Sequence, residues 1–338
     1  MKIVEEFSSK EEPLLTIAIP TYNRANYLDL CLKRIGEEIA SLDEDQRRLV
    51  KVYVSDNASS DDTPDVIEHY QNTQGGIFSS VRNLENFGAD LNISQCYASA
   101  TTPYVWVFGD DDVMLPGGLL MVLEVLAPQE VDILYVGGYG FVDNYLKKPF
   151  LHGKHGISEF CDSLTFARKT NVMLTFLSAL IIRSGVSLLP YSDLVKGSNL
   201  IQLAWVLPLL RDGNKFVIIE DSIFAAKAGN TGGYGLIEVF GNNLQKISMV
   251  ILQDRHELVR AIQNGTIVNF FPVFISEFRR GSNSFDDKDM AAGLKKLFCR
   301  NWRYYVFLVP LIVLPLFLVK FYNFFIRVLR RLMNPILI

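Results

Sequence analysis

The sequence predicts an α/β fold: a mixed sheet flanked by helices, followed by a C-terminal helical region that associates with a membrane. Three observations lead there. From Leu14 onward, apolar runs of strand length alternate with amphipathic runs of helix length, the pattern of βαβ units. Polar clusters sit just after the strand-like runs, the densest being Asp110-Asp111-Asp112 behind Tyr104–Phe108. Near the C-terminus, long apolar runs mix with arginine.

Residues 1–12 are polar and read as flexible. Leu14 to Ile19 is the first strand, followed by Pro20-Thr21-Tyr22-Asn23-Arg24. Tyr27 to Ile35 is a helix, with Leu28, Cys31, Leu32 and Ile35 on one face. Val50 to Ser55 is the second strand, and Asp56 to Thr63 the polar stretch after it. Thr63-Pro64 opens a helix, proline suiting the first turn. Arg82 to Gly88 leads into a helix over Ala89 to Ala100, which runs into the strand Tyr104–Phe108. Pro116-Gly117-Gly118 opens the helix Leu119 to Leu126, and Val131 to Val136 is a further strand. From Gly137 the composition shifts to Gly- and His-containing loops. Phe176 to Ile182 then completes the sheet. Asn199 to Leu210 reads as a helix that Pro208 would kink or stop, and Phe216 to Ile219 as a short strand. Gly229 to Gly235 has the composition of a mobile loop, and Phe240 to about Arg300 is helical. The divisions expected are residues 13–136 and 137–240 as two halves of one α/β domain, a helical region over 241–300 and a tail over 301–338.

The chain of 338 residues carries a net charge of −4, which leaves no global basic footprint for nucleic acid. Its four cysteines, Cys31, Cys96, Cys161 and Cys299, show no paired spacing, against a zinc site or disulfide framework. The acidic N-terminal residues lack the apolar core of a signal peptide. Hydrophobic residues make up 49% of the chain, high for a purely soluble enzyme. Tyr304 to Val319 is an uncharged run broken by Pro310 and Pro315, shorter than the roughly 20 residues a spanning helix needs. Beyond Lys320, apolar residues mix with Arg327, Arg330 and Arg331, as on a helix lying in an interface and facing anionic headgroups. Trp302, Tyr304 and Tyr305 suit headgroup depth. A buried helix pair or a homo-oligomer interface is the alternative for this tail.

Three adjacent carboxylates at a buried strand end repel one another, and each raises its neighbours' pKa. A cation is the usual remedy. Carboxylate oxygens suit Mg²⁺ or Mn²⁺, and Mg²⁺ typically takes one or two carboxylates plus substrate phosphates. A solvated acidic turn is the plain alternative. In an open α/β sheet, polar loops at the carboxyl ends of strands converge on one crevice, where ligands bind.

Four elements in this order, Ile-Pro-Thr-Tyr-Asn-Arg (19–24), Ser-Asp-Asn-Ala-Ser-Ser-Asp (55–61), Asn-Phe-Gly (86–88) and the Asp run, resemble the family 2 glycosyltransferases. The resemblance covers about Leu14 to Val136. It implies the GT-A fold, a Rossmann-like nucleotide-sugar-binding sheet. Phe-Gly-Asp-Asp-Asp, Phe-Leu-Ser-Ala-Leu-Ile-Ile-Arg (176–183) and the Gly-Ser-Asn that follows are similar to the abequosyltransferase-type branch, which acts on O-antigen intermediates. The resemblance implies a nucleoside-diphosphate-sugar donor, a lipid-linked saccharide acceptor, Mn²⁺ or Mg²⁺, and the cytoplasmic face of a bacterial inner membrane.

Residue by residue, the resemblance makes Pro20, Thr21, Tyr22, Asn23, Arg24, Asp56, Asn57, Asn86, Gly88 and Asp110 donor-binding. Asp56 would accept from a base N–H; Arg24 would meet a phosphate or stabilise its own loop. Asp111 takes the place of the main metal carboxylate and Asp112 the next. Gly109 stands where the family pattern, Asp-x-Asp-Asp, has its first carboxylate. Inverting members carry an acidic pair before the helix that is expected near Asn199; Gly197-Ser198-Asn199 has none, and Asp193 is the nearest acid that could serve as base. His152, His155, Arg183 and the Asn230–Tyr234 loop are further candidates for contact with donor or acceptor. A sugar nucleotidyltransferase would need a glycine-rich phosphate loop after the first strand, which Pro20–Asn23 is not. A degenerate transferase acting as a membrane scaffold is the non-enzymatic alternative, motivated by Gly109 and the missing base.

Overall fold

The computed structural model describes residues 12–148, 155–229, 235–280 and 290–337, with side chains as far as Arg330. His152, the Asn230–Tyr234 loop, the Arg331 side chain and most of the polar N-terminal stretch lie outside the described residues. In chain order the strands and helices are β1 (Leu15–Thr21), α1 (Ala25–Ser41), α2 (Glu44–Arg48), β2 (Val50–Asp56), α3 (Thr63–Thr73), β3 (Phe78–Arg82), α4 (Ala89–Ser99) and β4 (Tyr104–Val107). Next come β5 (Val113–Met114), α5 (Gly118–Leu126), β6 (Ile133–Phe141), β7 (Ile157–Phe160), α6 (Ser163–Thr170), β8 (Leu180–Arg183), α7 (Ser192–Val195), α8 (Leu203–Asp212) and β9 (Phe216–Lys227). The remaining helices are α9 (Leu244–Leu252), α10 (His256–Gly265), α11 (Phe271–Phe278), α12 (Met290–Phe298), α13 (Val309–Val313) and α14 (Leu316–Leu337). They divide into two units: Met1–Cys161, Phe176–Ser192 and Ala204–Gly229 form the first, and Asp162–Thr175, Asp193–Leu203 and Asn230–Ile338 the second.

The described strands make one sheet in the first unit, in the order β3-β2-β1-β4-β8-β6-β9-β5, with β7 added on β9. β1 to β4 pair in parallel. β8 inserts antiparallel between β4 and β6, so the sheet is mixed, as expected. β1 and β4 are central and covered on both faces, which is why Leu15–Ile19 and Tyr104–Val107 are continuous apolar runs. Trp106 and Phe108 meet edge to face at 5.1 Å, and Phe108 meets Phe224 at 6.2 Å. The buried Trp106 indole N–H donates to the Ser178 carbonyl at 3.0 Å, which satisfies its polar atom.

Two boundaries differ from the sequence expectation. β9 does not stop at Ile219 but continues to Lys227. Its register with β6 shifts between Val136 and Gly137 and again between Gly137 and Gly138, a bulge that carries the pairing past the polar Glu220 and Asp221. The helix expected from Asn199 starts at Leu203, because Gly197 (φ 72°) and Asn199 (φ 57°) turn left-handed just before it. α8 then runs through Pro208 to Asp212, forgoing only the hydrogen bond a proline nitrogen cannot donate.

The second unit packs around Leu236, Ile267, Phe271, Leu294 and Phe298. The C-terminal segment divides by face. Tyr304, Phe307, Leu308, Leu311, Val319 and Ile326 are buried in this core, whereas Phe317, Phe321, Phe324, Phe325 and Val328 are exposed. Leu314, in extended backbone, separates α13 from α14, and Arg279 donates to the free carbonyls of Leu311 and Leu314 at 2.7 and 2.6 Å. Among the described residues one helical stretch, His256–Phe278, is long and apolar enough to cross a membrane, and 61% of its apolar window is buried.

A methyl group at Gly137 would lie 2.5 Å from the Asp221 carbonyl oxygen, a backbone atom that cannot step aside. Gly137→Ala is expected to destabilise the first unit by about 1–3 kcal/mol. Urea unfolding with an unchanged midpoint would refute that role for the bulge.

Candidate active site

In register, Thr21 at the end of β1 lies beside Asp56 at the end of β2, which lies beside Arg82 at the end of β3. β4 ends earlier: Val107 pairs with Ala18, and the next residue, Phe108, donates its N–H to the Ala18 carbonyl. The chain then turns through Gly109–Asp112, so the acidic run sits beside the β1 and β2 ends, at the carboxyl edge where ligands bind in open α/β sheets.

The Thr21 hydroxyl donates to Asp110 Oδ2 at 2.8 Å. Arg24 Nη1 donates to Asp110 Oδ1 at 2.9 Å and to Asp111 Oδ2 at 3.0 Å. One guanidinium thus offsets two of the three carboxylates. Asp112 is held differently: Oδ1 accepts the Lys227 N–H at 3.1 Å, and the Ser178 hydroxyl donates to the same carboxylate. Ser178 Oγ in turn accepts the Gly109 N–H at 2.9 Å. Burial pushes Asp110 up to about 6, with Arg24 opposing and Asp111 adding to the rise. Burial, then the charge of Asp111, pushes Asp112 up to about 7. Burial works against the Arg24 charge, but Asp110 and Asp111 outweigh it and raise its pKa. Glycine at 109 has a steric reason. A Cβ there would stand 3.1 Å from both Asp111 Oδ1 and Asp112 Oδ2, so both carboxylates would have to give by a few tenths of an ångström.

Asp56 is fully buried. Its Oδ1 accepts the Ser59 N–H at 3.0 Å, and Arg82 Nε stands 3.4 Å from Oδ2. Oδ2 receives no hydrogen bond among the described residues. A buried carboxylate oxygen without a donor is costly unless a ligand supplies one. Asn57 ties the neighbouring loops together: its amide donates to Asn86 Oδ1 at 2.7 Å and to the Gly88 carbonyl at 3.3 Å, while its oxygen accepts from Asn83 and from the Phe87 N–H. Gly88 (φ 87°) precedes α4 in a conformation that glycine adopts freely. Asn23 (φ 52°) spends its side chain on the loop after β2, accepting the Ser60 N–H at 2.7 Å. Pro20 is half-buried at the end of β1, and Tyr22 is 42% exposed.

Other expected residues lie elsewhere. Arg183 pairs with Tyr104, at the opposite end of β4 from the acidic run, and donates to Asp132 at 3.1 Å and to the Gln129 carbonyl at 3.0 Å. This corrects the expectation that it closes over donor or acceptor: β8 is antiparallel, which sends its last residue away from the crevice. His155 Nδ1 pairs with Asp221 at 2.5 Å on the surface of the first unit. Asp193 is exposed on α7 in the second unit, where it lines a cleft of 270 Å³ with Lys196, Asn199, Glu238 and Lys246. Sequence reasoning missed Ser178, Lys227 and the amides of Asn83, Asn92 and Gln95. Asn92 donates to the Thr21 and Ser55 carbonyls, and Gln95 exchanges hydrogen bonds with Asn83. A local signal existed for the last two, since Asn92 and Gln95 lie three apart on α4 and share one face. Ser178 stood within the 176–183 motif but with no role assigned, and Lys227 carried no signal.

Burial favours the neutral acid, so folded Asp110 and Asp112 keep their protons to about pH 6 and 7, whereas the unfolded chain loses them near pH 4. Their contribution to stability is complete below about pH 4 and is lost as pH rises through about 7. Asp112→Asn is expected to flatten this fall. It should match the parent near pH 4 and exceed it by about 2–4 kcal/mol near pH 7.5 in ligand-free protein. Denaturant melts across pH check this; parallel profiles for the two proteins would contradict it.

Residues 16–182 match the model of the glycosyl transferase family 2. The abequosyltransferase RfbV of Salmonella typhimurium is 33% identical over 121 residues, 36% of this chain and 34% of that one. The GalNAc(5)-diNAcBac-PP-undecaprenol beta-1,3-glucosyltransferase of Campylobacter jejuni is 27% identical over 112 residues, 33% of this chain and 34% of that one. The chain therefore spans about a third of the length of these two relatives. The structure of S. aureus TarS 1–349 in complex with UDP-GlcNAc has a TM-score of 0.56 at 16% identity, over 93% of this chain and 89% of that one, and so shares the fold. By the match over residues 16–182, with its strand-end motifs on a GT-A sheet, this part of the chain is similar to the family 2 glycosyltransferases.

Proposed function

We propose that this protein transfers a sugar from a nucleoside-diphosphate sugar to a lipid-linked saccharide, in bacterial O-antigen or surface-polysaccharide assembly at the cytoplasmic face of the inner membrane. The observation that carries the donor half is Asp56. Its buried Oδ2 lacks a hydrogen-bond donor and sits at the strand end next to Thr21. A nucleobase N–H supplies what is missing. The exposed face of Tyr22 then lies open to base or ribose, and Asn23, Asn57, Asn86 and Gly88 shape the loops around it rather than grip the ligand themselves.

The acidic run suits a divalent cation of hard character. Its donors are oxygen only, and Asp111, with a 16% exposed side chain, is the most accessible of the three carboxylates. Among the described residues no three acidic, His or Cys side chains close on one point. A cation bound here would take one or two carboxylates and complete its shell from phosphates. Asp111, with Asp112 behind it, would hold Mg²⁺ or Mn²⁺, which would supply charge neutralisation for the departing nucleoside diphosphate. Arg24 and Thr21 keep Asp110 and Asp111 in place for this. For the acceptor hydroxyl, Asp193 is the base candidate.

The acceptor class is supported by the Campylobacter relative, whose name specifies an undecaprenyl-diphosphate-linked acceptor. It is also supported by the exposed apolar face of α14, flanked by the half-exposed Trp302 and Tyr305. A helix with one buried and one exposed apolar face, and arginine between, suits attachment in the plane of a bilayer surface.

Nucleoside diphosphates with Mn²⁺ are expected to raise the melting temperature for one nucleobase class, by mass action. Asp111→Ala should fold normally yet lose transfer at least about a hundredfold. Full activity in that variant would sink the metal assignment. The double change Phe321→Glu with Phe324→Glu alters only the exposed face of α14. It is expected to weaken binding to vesicles at least about tenfold without lowering thermal stability. Unchanged co-sedimentation would rule out this face as the anchor.

A further inference from the structure

A cleft of 180 Å³ in the second unit lies between α11 and α14 and is lined by Ser276, Glu277, Arg280, Asn323, Arg327 and Arg330. Three guanidiniums face one carboxylate there. Ser276 and Asn323 join the two helices across its floor, the Asn323 amide donating to Ser276 Oγ at 3.1 Å, while Ser276 Oγ also donates to the Pro272 carbonyl at 2.8 Å. Arg330 is the anomaly. Its Nε and Nη2 are buried and have no hydrogen-bond partner among the described residues. Burial, and then the like charge of Arg327, lower its pKa. A buried guanidinium with two idle donors is an expensive arrangement unless an acceptor arrives to use them. Nothing in the fold explains the placement: Ile326 and Val319 already pack the core side of α14.

We infer that this cleft binds a phosphate or diphosphate group, with Arg330 as the deep fork and Arg280 and Arg327 as the outer pair. The forked N–H groups of arginine match phosphate oxygens two at a time, which a diffuse basic surface does not do. The cleft opens on the helix that carries the exposed face of Phe317, Phe321, Phe324 and Phe325, so a phosphate at a bilayer surface is one source and a soluble phosphate the other. The inference rests on the proposed function only for the bilayer source; the site itself stands on the arginine geometry.

The test has two arms, each using the full chain. In one, the protein is co-sedimented with phosphatidylcholine vesicles with and without phosphatidylglycerol. In the other, inorganic diphosphate is titrated by calorimetry, comparing parent and variants so that the donor site cancels. Arg330→Gln and, because it is exposed and tolerant, Arg327→Gln are each expected to weaken binding at least about tenfold in the arm that carries the source. Lys320→Gln, which removes one charge from the same helix outside the cleft, should change it less than about twofold. A loss in the vesicle arm alone identifies a bilayer phosphate; a loss in the diphosphate arm identifies a soluble one. Either supports the cleft. Equal binding by parent, Arg327→Gln and Arg330→Gln in both arms overturns it, as does an equal loss for Lys320→Gln, which would mean diffuse charge attraction. Donor binding, read separately, reports on the proposed function and not on this cleft.

Discussion

Three carboxylates gathered at the end of a buried strand have to be stabilised before any ligand arrives, and the first unit does so for two of them with a single guanidinium. Arg24 reaches from the turn between β1 and α1 to Asp110 and Asp111, which lie 86 and 87 residues further along the chain. Thr21, at the end of β1, takes the remaining oxygen of Asp110. The pairing does three things together. It lowers the repulsion that three adjacent anions would otherwise suffer, it closes the β1 loop against the β4 turn, and it leaves Asp111 as the carboxylate most open to solvent. Asp112 is excluded from this pairing and is instead buried against Ser178 and the Lys227 N–H, where its charge is disfavoured. The acidic run is therefore graded: one carboxylate salt-bridged and buried, one salt-bridged and accessible, one buried and inclined to hold a proton.

The nucleotide side of the crevice is organised by side-chain amides. Asn57 and Asn92 reach backbone groups of the loops and strand ends they join, and Asn83 and Gln95 complete the network with reciprocal hydrogen bonds. Amides suit this task because each offers donors and an acceptor without charge, so the network can be buried beside Asp56 without perturbing it. Its consequence is functional: with the loops held by their own hydrogen bonds, the unused oxygen of Asp56 is already positioned when a base arrives. Preorganisation of this kind lowers the ordering cost of binding.

The second unit uses its C-terminal segment twice. The buried face of residues 304–326 completes a hydrophobic core, while the other face of α14 leaves large aromatic side chains in solvent. The two proline interruptions make this possible: α13 begins with Pro310 in its first turn, and the break before α14 lets the last helix take a new direction. A segment that is part core and part surface cannot be treated as a detachable tail, since removing it would also remove Phe307, Leu308 and Leu311 from the core.

Much of this protein was legible in its sequence because the information was local. Apolar runs of strand length, the proline at Thr63-Pro64 and the polar clusters behind Ile19, Ser55 and Phe108 determined the α/β class and the edge of the sheet where a site would form. The motifs around Asp56, Asn86 and the acidic run carried the family resemblance. What only the tertiary structure decided depends on residues distant in sequence. Arg24 could have met a phosphate or its own loop, and its partners became evident only when β1 and β4 lay side by side. Ser178 and Lys227 reach Asp112 because β8 and β9 pack where they do, and no spacing in the chain encodes that. The antiparallel run of β8 sends Arg183 away from the crevice, and the bulge at Gly137 extends β9 beyond its apolar stretch. The absent carboxylate at Gly109 follows the same logic: the sequence registers it as a missing ligand, and the structure as the space that Asp111 and Asp112 need. Periodicity and turn chemistry act over a few residues and survive in the sequence; pairing of charges and closure of loops act across the sheet and are settled only by packing.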